Sequence, residues 1–352
     1  MDDSNDDPRK MIDLPTVHKA YLVEKTWGET GVRCCACAQR CEISEGETGL
    51  CGTKINVERE LYTMNYGDVI VAESRPVEIK PFFHFHPGRT LMTVAAPGCN
   101  LSCPWCQNSE LSRARPRPLV ARQVPMNEVI QAAEAAGDIG VCVSLTEPMM
   151  LFEYSLGLFR EAGAHKLVTT FVSNGYLTPE AVHMLARAGL SAINVDVKGS
   201  EGVYREMCGG RAGDEPVWET IKNAAEMGVH VEVTHLVVTG LSDTEESFRA
   251  ICEKHLEFAG PDVPLHITAY RPAGGYDAPP TPVEFLERAH AIAREMGIRF
   301  PYVGNIPGHP LANTICPECG ELCLERLDSG LARDLTSEYR CPGCGYQLPI
   351  VT

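Results

Sequence analysis

Three things are missing from this 352-residue chain, and each absence removes a class of function. No run of about 18 consecutive apolar residues occurs, so a membrane-crossing helix is not expected. The opening Met1-Asp2-Asp3-Ser4-Asn5-Asp6-Asp7 is acidic and polar, the reverse of the basic start of a secretory signal, so the chain is expected to be cytoplasmic. Positive charge is also short, with 31 Lys and Arg against 47 Asp and Glu and a net charge of −16. Binding along a phosphate backbone needs clustered cations, so nucleic acid is not expected as the main partner. What the chain does have is a 44% hydrophobic content, enough for a sizeable core in more than one small domain.

Cysteine is the abundant residue, with sixteen in the chain. In a long chain with no export signal, clustered cysteines point to metal rather than to disulfides. Thirteen of them fall between Cys34 and Cys51, Cys99 and Cys106, and Cys316 and Cys344. Cys142, Cys208 and Cys252 stand alone and read as small buried hydrophobes.

The central set lies in Ala96-Pro97-Gly98-Cys99-Asn100-Leu101-Ser102-Cys103-Pro104-Trp105-Cys106-Gln107-Asn108, after an apolar run. A structural zinc takes four closed ligands, and iron–sulfur clusters are usually held by four thiolates. The spacing C-x3-C-x2-C offers three, which leaves one iron of a four-iron cluster open to a small chelating molecule. Half of a zinc site is the alternative.

The N-terminal set offers Cys34, Cys37, Cys41 and Cys51, with Cys35 able to stand in for Cys34. Four soft ligands suit zinc or an auxiliary cluster equally. At the far end, Cys316-Pro317-Glu318-Cys319-Gly320 and Cys341-Pro342-Gly343-Cys344-Gly345 are paired C-x2-C knuckles, the zinc-ribbon pattern, with a rubredoxin-like iron site as competitor. Cys323 is surplus. Glu318, Glu321, Glu325 and Asp328 make this ribbon poorly basic, suiting a structural cap or docking element.

Between the outer sets, apolar runs alternate with amphipathic stretches. Strands are expected at 90–96, 141–146, 166–173, 192–198, 230–238, 265–270 and 298–303, with one or two more between Leu61 and Ile79. Val217, Ile221, Ala224 and Ala225 share a helical face, and Thr178-Pro179, Ser242-Asp243-Thr244-Glu245 and Thr281-Pro282-Val283-Glu284 read as helix starts. Repeated strand–helix–strand units mean a parallel sheet, closed or partly closed into a barrel. Functional residues then belong at the C-terminal strand ends. Polar residues do recur there: Ser144-Leu145-Thr146-Glu147, Ser173-Asn174, Asp196-Val197-Lys198, His235 and His266. The expected divisions are an acidic disordered tail at 1–15, a Cys-rich segment at 16–88, the barrel at 89–310 and the ribbon at 311–352.

The C-x3-C-x2-C loop after a first strand resembles the signature of the radical S-adenosylmethionine (SAM) superfamily. The full order resembles its AmmeMemoRadiSam group, relatives of pyruvate formate-lyase activating enzyme, over roughly residues 30 to 352. That order runs from the N-terminal cysteines through Phe83-His84-Phe85-His86-Pro87-Gly88, the Cys99 loop, Thr146-Glu147-Pro148 and Gly304-Asn305-Ile306-Pro307-Gly308-His309 to the ribbon. Gln39 stands where the group carries histidine. The resemblance implies an α/β fold with a partial (β/α)6, TIM-like barrel. It implies that Cys99, Cys103 and Cys106 hold a [4Fe–4S] cluster whose open iron binds SAM. One electron then cleaves SAM to a 5′-deoxyadenosyl radical, which abstracts hydrogen from an unidentified substrate.

The same resemblance assigns Glu147 and Thr146 to the methionyl ammonium of SAM, with Leu145-Thr146 replacing the family's two glycines. It sets Ser173 and Asn174 against the ribose or carboxylate, Asp196 and Lys198 against SAM or substrate, and His235 and His266 as strand-end candidates. Zinc is implied for Cys316, Cys319, Cys341 and Cys344. A ferredoxin or flavodoxin is the implied electron donor. Two other functions fit the residues: activation of a glycyl-radical partner protein, favoured by Asp196 and Lys198, and non-catalytic electron transfer or docking.

Overall fold

The structure, a computed structural model, describes residues 8–26, 30–327 and 330–352. The first seven residues of the expected tail, and Asp328, lie outside the described residues. Residues 8–15 are not loose. They make turns closed by Leu14 N–H to Met11 O and Val17 N–H to Leu14 O, and Met11 and Ile12 pack on Ile55, Val57 and Met64.

Eight strands make the central sheet: β1 (Val71–Pro76), β2 (Thr90–Ala95), β3 (Gly140–Val143), β4 (Val168–Ser173), β5 (Ala192–Val197), β6 (His230–Val237), β7 (Leu265–Ala269) and β8 (Pro301–Gly304). Helices α1 (Met126–Ala136), α2 (Phe152–Ala164), α3 (Pro179–Ala188), α4 (Glu215–Glu226), α5 (Glu245–Phe258) and α6 (Val283–Met296) link β2 to β8 in turn. Spatial order follows chain order throughout; β2 to β8 are parallel and β1 is antiparallel to β2. Right-handed crossovers that always step the same way put every helix on one face. Each helix accordingly touches the next.

Strand periodicity sorts the residues between the two faces. In β5, Ile193, Val195 and Val197 alternate with Asn194 and Asp196. Thr234 of β6 donates to Asn194 Oδ1 at 2.9 Å, so the polar residues of both strands share the face without helices. On the helix side, Ala181, Val182, Leu185 and Ala188 of α3 recur at helical spacing and are buried.

Several boundaries differ from the sequence reading, each for a local reason. The sheet takes in Val71–Pro76, earlier than the expected start at 89. Lys166, in left-handed backbone at φ +60, delays β4 to Val168, and Leu145 at φ +71 keeps residues 144–146 out of β3. The last strand starts at Pro301 because Ile298 N–H bonds Ala293 O and closes α6. Thr178 and Thr244 cap α3 and α5 as expected, Thr244 with Ser247 completing the box. Thr281 does not cap α6. Its hydroxyl accepts from Tyr270 N–H and donates to Val237 O, stitching two strand ends instead.

Two small antiparallel sheets form the N-terminal segment, one from His18–Lys19, Glu60–Thr63 and Lys54–Val57, the other from Val23–Lys25, Val32–Cys34 and Glu42–Ile43. The C-terminal segment is a third, from Thr314–Ile315, Leu322–Leu327 and Gly330–Asp334. It is tied to the body by Arg326, which donates to Phe83 O at 3.0 Å and lies 4.0 Å over the Phe83 ring.

Candidate functional site

The loop that follows β2 carries Cys99, Cys103 and Cys106, all free and half-buried. Leu101 N–H and Asn174 Nδ2 approach Cys99 Sγ at 3.4 and 3.7 Å, and Ser112 Oγ lies 3.4 Å from Cys106 Sγ. The neighbouring Cys208 thiol, with Lys198 nearby, brings the Cys103 thiol below its ordinary value against the effect of burial. Burial and the neighbouring Glu147 push Cys99 the other way. Trp105 is buried and meets Tyr276 edge-on at 6.0 Å, covering the loop from the side of β7.

The next three strand ends converge on the same loop. Glu147, just past β3, is fully buried and accepts from Met149 N–H at 3.1 Å, Ser173 Oγ at 2.9 Å and Asn174 N–H at 2.9 Å. Burial raises its carboxyl to about 7, and those hydrogen bonds pull back against the rise. Asn174 then donates to Asn100 Oδ1 at 2.7 Å, which closes a chain from Glu147 to the residue beside Cys99. Thr146 turns its hydroxyl away, onto Ala96 O at 2.7 Å. Leu145 keeps the left-handed backbone that glycine adopts freely, its carbonyl fixed by Asn108 Nδ2 at 2.7 Å.

At the end of β5, Lys198 Nζ lies 2.5 Å from Asp196 Oδ2, with both side chains largely covered. Burial alone would lower the Lys198 ammonium; the Asp196 carboxylate and the Cys103 thiol outweigh it and hold the charge. Asp196 Oδ1 is buried with no partner among the described residues. An uncapped acceptor of this kind beside a buried ammonium suits a polar ligand with a donor to offer.

The two histidines lie elsewhere. His235 faces the helix layer, its ring beside Phe248 of α5 and its Nδ1 3.0 Å from Val197 O. His266, near the start of β7, sits 2.7 Å from Glu232 Oε2. Glu232 also accepts from Phe83 N–H, His84 N–H and His230. Burial would raise this carboxyl; the hydrogen bonds from His230 and His266 outweigh burial and hold it well below the usual range. The aromatic run at 82–86 therefore plugs the N-terminal ends of the strands, away from the cysteine loop.

Cys208, Gln39, Asn100 and Gly274 belong to the site although nothing in the strand pattern marks them. Gln39, already notable as a replacement for histidine, donates to Asn100 O at 2.8 Å and Gly209 O at 2.9 Å. In the C-terminal segment, the sulfurs of Cys316, Cys319, Cys341 and Cys344 all lie within 4.8 Å of one another. Cys323 is not among them and is buried, its thiol on Glu321 O.

The three free thiols fit a cluster. Each thiolate of a cubane takes a different iron, so the sulfurs surround a volume rather than meet at a point. Donors already aim at Cys99, and Glu147 and Asp196 line the same side with acceptors for a cationic ligand.

The family model described as the Radical SAM superfamily matches residues 93–255. An uncharacterized protein of Methanocaldococcus jannaschii is 34% identical over 338 residues, which is 95% of this chain and all of that one. Biotin synthase of Trichodesmium erythraeum is 27% identical over 200 residues, and the match spans 53% of each chain. A domain of pyruvate-formate lyase-activating enzyme from Bacteroides vulgatus superposes with a TM-score of 0.41 at 16% identity, over 47% of this chain and 99% of that one.

Proposed function

Because the chain belongs to the radical SAM superfamily, whose members use a [4Fe–4S] cluster and SAM, we propose that Cys99, Cys103 and Cys106 hold that cluster and that the chain cleaves SAM reductively. Loaded, the site supplies one electron to the SAM sulfonium and so a 5′-deoxyadenosyl radical able to take hydrogen from a substrate. The observation that carries this reading is the hydrogen-bonded chain Glu147–Asn174–Asn100, which ends beside Cys99 and joins two strand ends to the cysteine loop.

The chain's own residues divide the work. Glu147 accepts the methionyl ammonium, with Ser173 and Asn174 holding its carboxylate in place. Asp196 Oδ1 accepts from the ribose or substrate, and Lys198 sets positive charge against the thiolates. Trp105 and Tyr276 keep water from the loop, which strengthens every charge interaction inside it. Zinc is the ion proposed for Cys316, Cys319, Cys341 and Cys344, whose sulfurs are spaced for a single tetrahedral ion.

The sequence order of motifs supports the AmmeMemoRadiSam group within the superfamily. The buried Asp196–Lys198 pair keeps open a second reading, activation of a partner protein's glycyl radical. The test is anaerobic. Reconstituted protein, dithionite and SAM are expected to yield 5′-deoxyadenosine, and alanine at Cys99, Cys103 or Cys106 to abolish it. Full cleavage in any of those variants sinks the assignment, and bound iron without nucleoside leaves only electron transfer.

A further inference from the structure

The chain carries two sets of four cysteines outside the proposed SAM site, and their geometries differ. Zinc–sulfur bonds of about 2.3 Å set the sulfur–sulfur edges of a tetrahedron at about 3.8 Å. The C-terminal four approach that, with Cys316 and Cys344 sulfurs 3.6 Å apart and Cys319 and Cys341 sulfurs 3.5 Å apart. Among the described residues, no three of Cys34, Cys37, Cys41 and Cys51 bring their sulfurs within 4.8 Å of one another. These four instead line one pocket together with Ile43, Leu50 and Lys54. One ion draws its ligands to a point, whereas an iron–sulfur core with bridging sulfides needs them spread around a space.

We infer that Cys34, Cys37, Cys41 and Cys51 hold a second iron–sulfur cluster. The pocket walls suit one. Cys34 and Cys41 are buried, and Ile43 and Leu50 close the space with apolar side chains. Backbone N–H groups of Ala36, Gln39 and Leu50 lie near the sulfurs of Cys34, Cys37 and Cys41, and the Asn100 side chain lies near Cys37. N–H groups beside the sulfurs tune the potential and stability of a cluster. Lys54 also lines the pocket, its ammonium buried and 2.5 Å from Glu153 Oε2, and it sets positive charge beside four thiolates. Cys35 is excluded: its thiol turns to Arg33 O.

The pocket adjoins the SAM site through one residue. Asn100 lines it, follows Cys99 in the chain and accepts from Gln39, which lines it too. Thr178 Oγ1 donates to Cys35 O and Ala38 N–H bonds Tyr176 O, so the segment is pinned to the loop after β4. The second cluster therefore sits against the first cysteine loop rather than at a remote edge.

Iron and acid-labile sulfide, counted on the anaerobically reconstituted full chain, test this. The unmutated chain is expected to carry about two to four irons beyond a single [4Fe–4S] cluster, with matching sulfide. The triple variant Cys99→Ala, Cys103→Ala, Cys106→Ala is expected to keep those extra irons and their sulfide. The double variant Cys37→Ser, Cys51→Ser is expected to lose them and keep about four. An unmutated chain with about four irons and about two zincs overturns the inference, as does a double variant that loses no iron. If the triple variant and the unmutated chain hold equal iron, the second cluster stands and the SAM-site reading falls. The unmutated count decides even where a variant fails to fold.

Discussion

A Cβ on Gly274 would come within 2.7 Å of both the backbone nitrogen and the carbonyl oxygen of Cys106. It would also meet Pro104 O at 2.5 Å. The turn between Ala273 and Tyr276 thus lies directly on the cysteine loop, held there by Arg113 donating to Gly274 O at 3.1 Å. Backbone atoms cannot swing aside as a side chain would, so only hydrogen fits.

Gly274→Ala is therefore expected to lift the turn off the loop, loosen Cys106 and lower the iron retained after reconstitution. Gly275→Ala is the control, because Gly275 is also left-handed, at φ +105, but has open space around it. Backbone strain then acts in both variants and the clash in only one. Equal iron loss in the two would mean that the contact with Cys106 is irrelevant.

Glu147 predicts a pH dependence for SAM binding. Its buried carboxyl ionises at about 7 in the free chain, so below that pH a cationic ligand must expel a proton to bind. Affinity for SAM is expected to rise about tenfold per pH unit up to about 7 and to level off above it. Glu147→Gln keeps the shape but not the charge, so it is expected to weaken binding about tenfold or more at pH 7.5 and to flatten the profile. Calorimetric titration between pH 5.5 and 7.5 reads both. A flat profile in the unmutated protein would take Glu147 off the ammonium.

The seven parallel strands were legible because each is a short apolar run set between helical stretches, and Glu147, Ser173, Asn174, Asp196 and Lys198 meet because parallel strands all end at one side. The two histidines were not separable by that logic. A one-residue difference in strand position sends His235 under α5, while depth along the strand sends His266 to Glu232. Gly274 and Cys208 reach the cysteine loop from far along the chain, and no local period records such a contact. Val71–Pro76 reads as a strand for a related reason without showing where it belongs: only its pairing with β2 assigns it to the sheet.

His255 makes the acid stability of the fold testable away from the three cysteine clusters. It lies on α5, fully buried, with Nε2 3.0 Å from Val263 O and Nδ1 without a partner among the described residues. Burial lowers its pKa from 6.5 to about 4, so the folded chain keeps it neutral where the unfolded chain charges it. Above pH 6.5 both states bind the same number of protons and the histidine has no pH effect. Between 6.5 and about 4 the unfolded state binds more, so stability falls as pH falls, by about 3 kcal/mol over that window, and levels off below it. His84, lowered by burial to about 3, and His290, lowered to about 4, act in the same direction. His255→Leu removes the bond to Val263 and is expected to cost about 1 kcal/mol at pH 7.5. It also removes the proton uptake, so its stability should fall less steeply than that of the unmutated chain, and the two curves should converge or cross by pH 4.5. Denaturant unfolding at half-unit pH steps measures this, and parallel curves would show that His255 is not held neutral by the fold.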